Sequence, residues 1–155
     1  PNILGYIEFH EDLKRNDTII KINVNDLKPG NHGFHIHRYG DLSDGCASLC
    51  EHYNPHNKLH GGINSKERHI GDLGNINANK NGKVRMTIRD KYIKLRGKYS
   101  VIGRSVIIHE KADDNGMGGI DKNGKIIDKS KYEESVKTGN AGKRIACGII
   151  GYAKK

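Results

Sequence analysis

The chain has no tryptophan, only two phenylalanines and three prolines among 155 residues, and aromatic side chains make up 6% of it. Rings so few and so dispersed exclude, as a primary function, a nucleic-acid-binding module in which basic residues interleave with stacking aromatics. No run approaches the ~18 consecutive apolar residues of a spanning helix, and no basic-then-apolar leader opens the chain. The expectation is a chain without a membrane partner, placed in the cytoplasm. Acidic residues are outnumbered, 18 against 27 basic, for a formal charge of +9. That balance raises an anionic partner, yet the basic residues are scattered and the longest cluster is Lys154-Lys155, so most read as solvated strand faces. Cysteines number three, Cys46, Cys50 and Cys147, and none forms the CxxC pair of a redox or zinc-ribbon motif. One disulfide and one spare thiol is the simplest arrangement.

What the sequence does have is short apolar alternation. Ile20, Ile22 and Val24 alternate with polar neighbours, as do Val84, Met86 and Ile88, and then Ile93 and Leu95. Period two is the signal of a half-buried strand, and further candidates lie at 5–9, 33–37, 103–109 and 144–152. Lys28-Pro29-Gly30, Asn79 to Gly82 and Asn115-Gly116 favour chain reversal between them. The pattern predicts an all-β antiparallel sandwich or barrel, and the length predicts one domain over 1–155. Two stretches, 40–74 and 110–143, are polar and glycine-rich; loops that long are usually functional and need a fastener other than a hydrophobic core.

Nine histidines are an excess for this length. His35 and His37 lie two apart on a predicted strand, so both rings leave the same face and can grip one ion. The first long loop supplies His52, His60 and His69, with Asp72 three residues later, and the strand ending at Ile108 delivers His109. Imidazole suits copper and zinc, and a carboxylate among imidazoles suits zinc. Six histidines and one aspartate can serve two ions.

Longer motifs carry a resemblance. Gly33-Phe34-His35-Ile36-His37, His60-Gly61-Gly62, Glu67 through Asn75, Ile102-Gly103-Arg104, His109 through Asp114 and Lys137 through Gly148 resemble, in order, the copper/zinc superoxide dismutase family. The resemblance implies a Greek-key β-barrel or sandwich of immunoglobulin-like type and disproportionation of superoxide to O₂ and hydrogen peroxide. It implies one copper per subunit on His35, His37, His52 and His109, and one zinc on His52, His60, His69 and Asp72, with His52 bridging them. Asp113 matches an aspartate linking a copper histidine to a zinc histidine, which would fix both rings. Arg144 matches an arginine that docks the anion; Glu133, Glu134, Lys137 and Thr138 match a charged channel loop that steers it. Cys46 and Cys147 match the family disulfide. A homodimer is implied through the segment near Gly40, the Ile102-Gly103-Arg104 turn and the C-terminal strand, with Tyr39, Leu42, Ile150 and Tyr152 supplying apolar area. A copper chaperone is an allowed further partner.

Three departures stand out. The chain opens at what resembles the family's second strand, so the barrel is expected to lack its first and to expose edges. Cys50 has no counterpart; inert burial is the expectation, with mispairing or competition for copper as the alternative. An insertion over 120–132 includes Asn123-Gly124, a hairpin signal that predicts a small surface hairpin.

Overall fold

The computed structural model describes residues 3–154. Among these residues seven strands form: β1 (Leu4–Asp12), β2 (Asp17–Asn25), β3 (Gly30–His37), β4 (Asp72–Ala78), β5 (Val84–Asp90), β6 (Ser105–His109) and β7 (Arg144–Ile149). One helix, α1 (Lys129–Thr138), lies between β6 and β7. The strands make two antiparallel sheets, ordered β1-β2-β5 and β4-β3-β6-β7. This is the Greek-key sandwich expected.

Alternation does the sorting. On β2, Ile20, Ile22 and Val24 turn inward and meet Val84 and Ile88 of β5, while Phe34, Ile36, Leu73, Ile76, Val106 and Ile108 come from the facing sheet. Burying side chains of that size contributes roughly 1.5–3 kcal/mol each before chain entropy is subtracted. Met86 shares the alternation of Val84 and Ile88 but is exposed. Among the described strands β1 and β7 pair on one side only, and the groove of about 410 Å³ between them is lined by Ile7, Phe9, Val106, Ile108 and Ala146.

Residues 93–95 alternate without forming a strand. Asp90 Oδ1 accepts the backbone N–H groups of Tyr92 and Ile93 at 2.7 and 2.8 Å, which turns the chain and drops Ile93 into the core as a plug. The Ile93 carbonyl accepts the Thr18 hydroxyl at 2.7 Å instead of a ladder partner. In the insertion, Asp121 Oδ1 accepts from the N–H groups of Asn123 and Lys125, and Ile120 bridges Ile126, so a small hairpin does form there. It leads directly into α1. Asp128 caps that helix, accepting from the Lys131 N–H at 3.0 Å, and Gly139 ends it in the left-handed region at φ 71°.

Candidate metal centre

β3 carries His35 and His37 into the second sheet, and β6 ends on His109 beside them. The loop between β3 and β4 folds back so that His52 bridges His37, then supplies His60 and His69 before β4 opens on Asp72. Two groups result, with ligand-type atoms in each within 4.8 Å of one another: His35, His37, His52 and His109, and His52, His60, His69 and Asp72. All seven side chains are buried. His52 belongs to both.

Hydrogen bonds fix which nitrogen of each ring is free. Carbonyls and carboxylates only accept, so His37 donates from Nδ1 to the Cys50 carbonyl at 2.8 Å and His109 from Nδ1 to the Gly142 carbonyl at 3.0 Å. His35 and His60 both donate from Nε2 to Asp113, at 2.6 and 2.8 Å. The opposite nitrogens of the first group, His37 Nε2, His109 Nε2 and His35 Nδ1, are buried without hydrogen-bond partners. Three such lone pairs in one small volume are costly unless a cation meets them. The second group converges on one oxygen: Nδ1 of His52, His60 and His69 lie 2.9, 3.0 and 3.1 Å from Asp72 Oδ1. Ligands about 2.0 Å from a tetrahedral ion stand roughly 3.3 Å apart, so this three-imidazole, one-carboxylate set fits zinc. Asp72 Oδ2 accepts the N–H groups of Gly61 and His69, which holds the carboxylate in that pose. His35, His60 and Asp113 also cluster, but the Asp113 oxygens are filled by the two imidazole N–H groups and the Asn115 N–H, so this trio orients rings.

The electrostatics follow from burial and these partners. Burial holds His37 down to about 2 and His52 down to about 3, each with help from neighbouring rings, and pushes His35 and His109 down as well. For His60, burial opposes the charge, yet the carboxylates of Asp113 and Asp72 outweigh it and raise the ring to about 9. Burial likewise opposes the Asp72 carboxylate, and hydrogen bonds from His52, His60 and His69 still hold it well below the usual range.

A cavity of about 420 Å³ opens over the first group, lined by His37, His52, His109, Cys50, Glu51, Glu134, Lys137, Thr138 and Arg144. Arg144 is fastened by carbonyls: Nη1 donates to Cys46 and Ala47 and Nη2 to Cys50. α1 brings Glu134, Lys137 and Thr138 to the rim, and Thr138 donates its hydroxyl to Glu134 Oε1 at 2.6 Å. Glu133 does not line the cavity; it lies 3.8 Å from Lys129 on the exposed side of the helix. The helix is tied to the metal-site loops, since the His60 N–H donates to Val136 and Ser135 Oγ to Asp114. A Cβ on Gly139 would collide with Asp113 and His60, so the helix end must be glycine for this approach as well as for its φ.

Cys46 and Cys147 form a disulfide across 101 residues, joining the β3–β4 loop to β7. Cys50 departs from the expectation of inert burial. It is half-buried in the cavity wall with its thiol donating to Glu51 Oε2 at 2.7 Å, because the turn that aims its carbonyl at His37 and Arg144 leaves its side chain outward. Glu51 and its partner Arg38 were not singled out in the sequence. Nothing in the spacing of two surface charges announces that one of them faces a cavity. Of the residues expected to offer apolar surface, Tyr39, Leu42 and Tyr152 are exposed, whereas Ile150 is buried in the core and Ile149 is exposed in its place.

Comparison with known proteins agrees with the geometry. The family described as copper/zinc superoxide dismutase matches residues 3–150. A Cu-Zn superoxide dismutase of Paramecium bursaria Chlorella virus 1 is 48% identical over 99% of this chain and 75% of its own length. An extracellular Cu-Zn superoxide dismutase of Onchocerca volvulus is 48% identical over 97% of this chain and 71% of its own. A crystal structure of the clock protein EA4 superposes with a TM-score of 0.84 at 43% identity, covering 96% of this chain and 87% of that one. The expected cytoplasmic placement is overturned here. Relatives 43–48% identical, from Brugia pahangi, Onchocerca volvulus and Drosophila melanogaster, are named extracellular superoxide dismutases.

Proposed function

The chain belongs to the copper/zinc superoxide dismutase family, and from that premise we propose how its own residues convert two superoxide anions and two protons into O₂ and hydrogen peroxide. The protein is a superoxide dismutase that uses copper and zinc. Copper would be held by His35 Nδ1, His37 Nε2, His109 Nε2 and His52, and zinc by Nδ1 of His52, His60 and His69 with Asp72. The observation that carries this assignment is the set of three orphaned imidazole nitrogens beside the Asp72-centred trio, with the His52 ring common to both groups.

Copper supplies one-electron exchange with superoxide when bound, and zinc supplies fixed charge and a clamp on the β3–β4 loop. The chain does the rest. Lys137 at the rim draws the anion inward, and Thr138, held to Glu134, narrows the entrance. Arg144 receives superoxide: its guanidinium is permanently charged and forked, and three backbone carbonyls hold it in one pose. His52 Nδ1 faces Asp72, which leaves Nε2 toward the first group as the atom that carries a proton to the oxygen being reduced. Asp113, between His35 and His60, keeps both rings in the tautomer that presents Nδ1. A homodimer through the Tyr39, Leu42, Ile149 and Tyr152 surface completes the reading, and sedimentation at micromolar concentration showing monomer alone would remove it.

Metal analysis and superoxide consumption on the same preparations test the assignment. His109→Ala should lose copper and activity while keeping zinc. Arg144→Ala should keep both metals and capture superoxide about tenfold or more slowly. Loaded wild-type protein that consumes superoxide no faster than buffer would sink the assignment.

A further inference from the structure

The cavity wall includes a carboxylate where an anion must pass. Glu51 precedes His52 and lines the same cavity as Arg144 and Lys137. A full negative charge there would repel an approaching anion and oppose the field of the two cations. Arg38, the residue after His37, meets it. Its Nη1 donates to Glu51 Oε1 at 2.8 Å, and its backbone N–H donates to the Glu51 carbonyl at 2.9 Å. The second oxygen, Oε2, accepts the Cys50 thiol at 2.7 Å, and the Tyr39 ring backs the guanidinium with 5.1 Å between CZ and ring centroid. Both carboxylate oxygens are thus occupied. The two side chains are 52% and 60% exposed, so the pair adds little to stability, and its consequence lies in where it puts charge.

We propose that Arg38 is a specificity-determining residue for superoxide capture, acting through Glu51 by cancelling a negative charge in the channel wall. The inference rests on the reading of this cavity as the entry path of superoxide. Arg38 touches no reacting atom; removing its charge exposes the Glu51 carboxylate to the incoming anion, and removing Glu51 leaves Arg38 as a third attracting cation beside Arg144 and Lys137. The effect is confined to association. It should therefore appear in the second-order rate and its salt dependence, and it should vanish when salt screens the channel.

The test uses Arg38→Gln, Glu51→Gln, the double variant, and Lys80→Gln as a control that removes one positive charge at the exposed β4–β5 turn, away from the cavity. With loaded protein at low ionic strength, Arg38→Gln should fall about two- to fivefold in capture rate and rejoin wild type at high salt. Glu51→Gln should be as fast as wild type or faster, the double variant should return near wild type, and Lys80→Gln should change less than Arg38→Gln. A second readout needs no metal. Cys50 is the free thiol in the same wall, so its alkylation by anionic iodoacetate relative to neutral iodoacetamide reports the local potential, and the thiolate fraction cancels in the ratio. Arg38→Gln should lower that ratio and Glu51→Gln should raise it. An unchanged ratio, or a salt dependence in Arg38→Gln no different from that of Lys80→Gln, overturns the role of Arg38. Loaded wild-type protein without dismutation overturns the entry-path reading itself and the capture role with it, whatever the ratio.

Discussion

Cys50 sits at φ 65° and ψ −148°, a region that essentially only glycine occupies without strain. Its carbonyl is held from two sides, by His37 Nδ1 and by Arg144 Nη2, so the surroundings determine the peptide and the side chain bears the cost. Such a residue costs roughly 1–3 kcal/mol. Cys50→Gly should therefore raise stability by about 1 kcal/mol or more in denaturant unfolding, while Cys50→Ala should not; equal midpoints for the two would show that the backbone is unstrained. Both substitutions remove the thiol bond to Glu51, so their difference isolates the Cβ. The candidate ligands were readable at this scale because few residue types hold copper or zinc, and the structure gathers His35, His37, His52, His60, His69, His109 and Asp72 into two groups that could each hold an ion. The tautomers were not readable. They depend on which carbonyl or carboxylate happens to face Nδ1 or Nε2, and the Cys50, Gly142 and Asp113 acceptors come from segments remote in sequence.

At the scale of elements, the metal-site loop is braced from beneath by a buried ion pair. Arg68, next to His69, donates from Nη2 to Asp90 Oδ2 at 2.6 Å and from Nη1 to the Ile63 carbonyl, and its guanidinium stacks 4.8 Å over Tyr92. Both charges are almost fully buried, at 2% and 3% exposure, so solvent does little to screen them. Arg68→Ala leaves the Asp90 carboxylate without its cation and should cost about 3–5 kcal/mol, with zinc loss at lower denaturant than in wild type. A loss below about 1 kcal/mol would mean that the Tyr92 and Ile93 N–H groups suffice for Asp90. Such bracing explains which elements the sequence disclosed. Strands with apolar alternation were legible, and β4 was not, because Asn75 and Asn77 are poor strand formers that are tolerated here by pairing with β3. The helix α1 was hidden inside a polar stretch, although Asp128 as cap and Gly139 as terminator were both present to be read. Ile93 and Leu95 misled in the other direction, since alternation there serves a plug held by Asp90 and Thr18.

For the molecule as a whole, stability before metal loading is set by histidines pulling in opposite directions. Burial holds His37 to about 2 and His52 to about 3, well below imidazole's ordinary 6.5. Between those values and 6.5 the unfolded chain binds more protons than the folded one, so stability rises with pH across that window. His60 is opposed by burial but raised to about 9 by Asp113 and Asp72, so its contribution is complete below about 6.5 and is lost as pH climbs toward 9. The metal-free protein should be most stable near pH 6.5 and lose on the order of 2–3 kcal/mol by pH 9. Guanidinium midpoints at pH 4.5, 6.5 and 9 on chelator-stripped protein measure this, with the disulfide kept intact so that the unfolded state is the same throughout. His60 Nδ1 would hold zinc in place of its proton, so the fully loaded protein should not show the alkaline decline, and loading at pH 7.5 should release that proton to the buffer. Midpoints of the stripped protein that keep rising from pH 6.5 to 9 would mean His60 is neutral before zinc arrives, and the carboxylates of Asp72 and Asp113 would then carry less charge toward it than their positions imply.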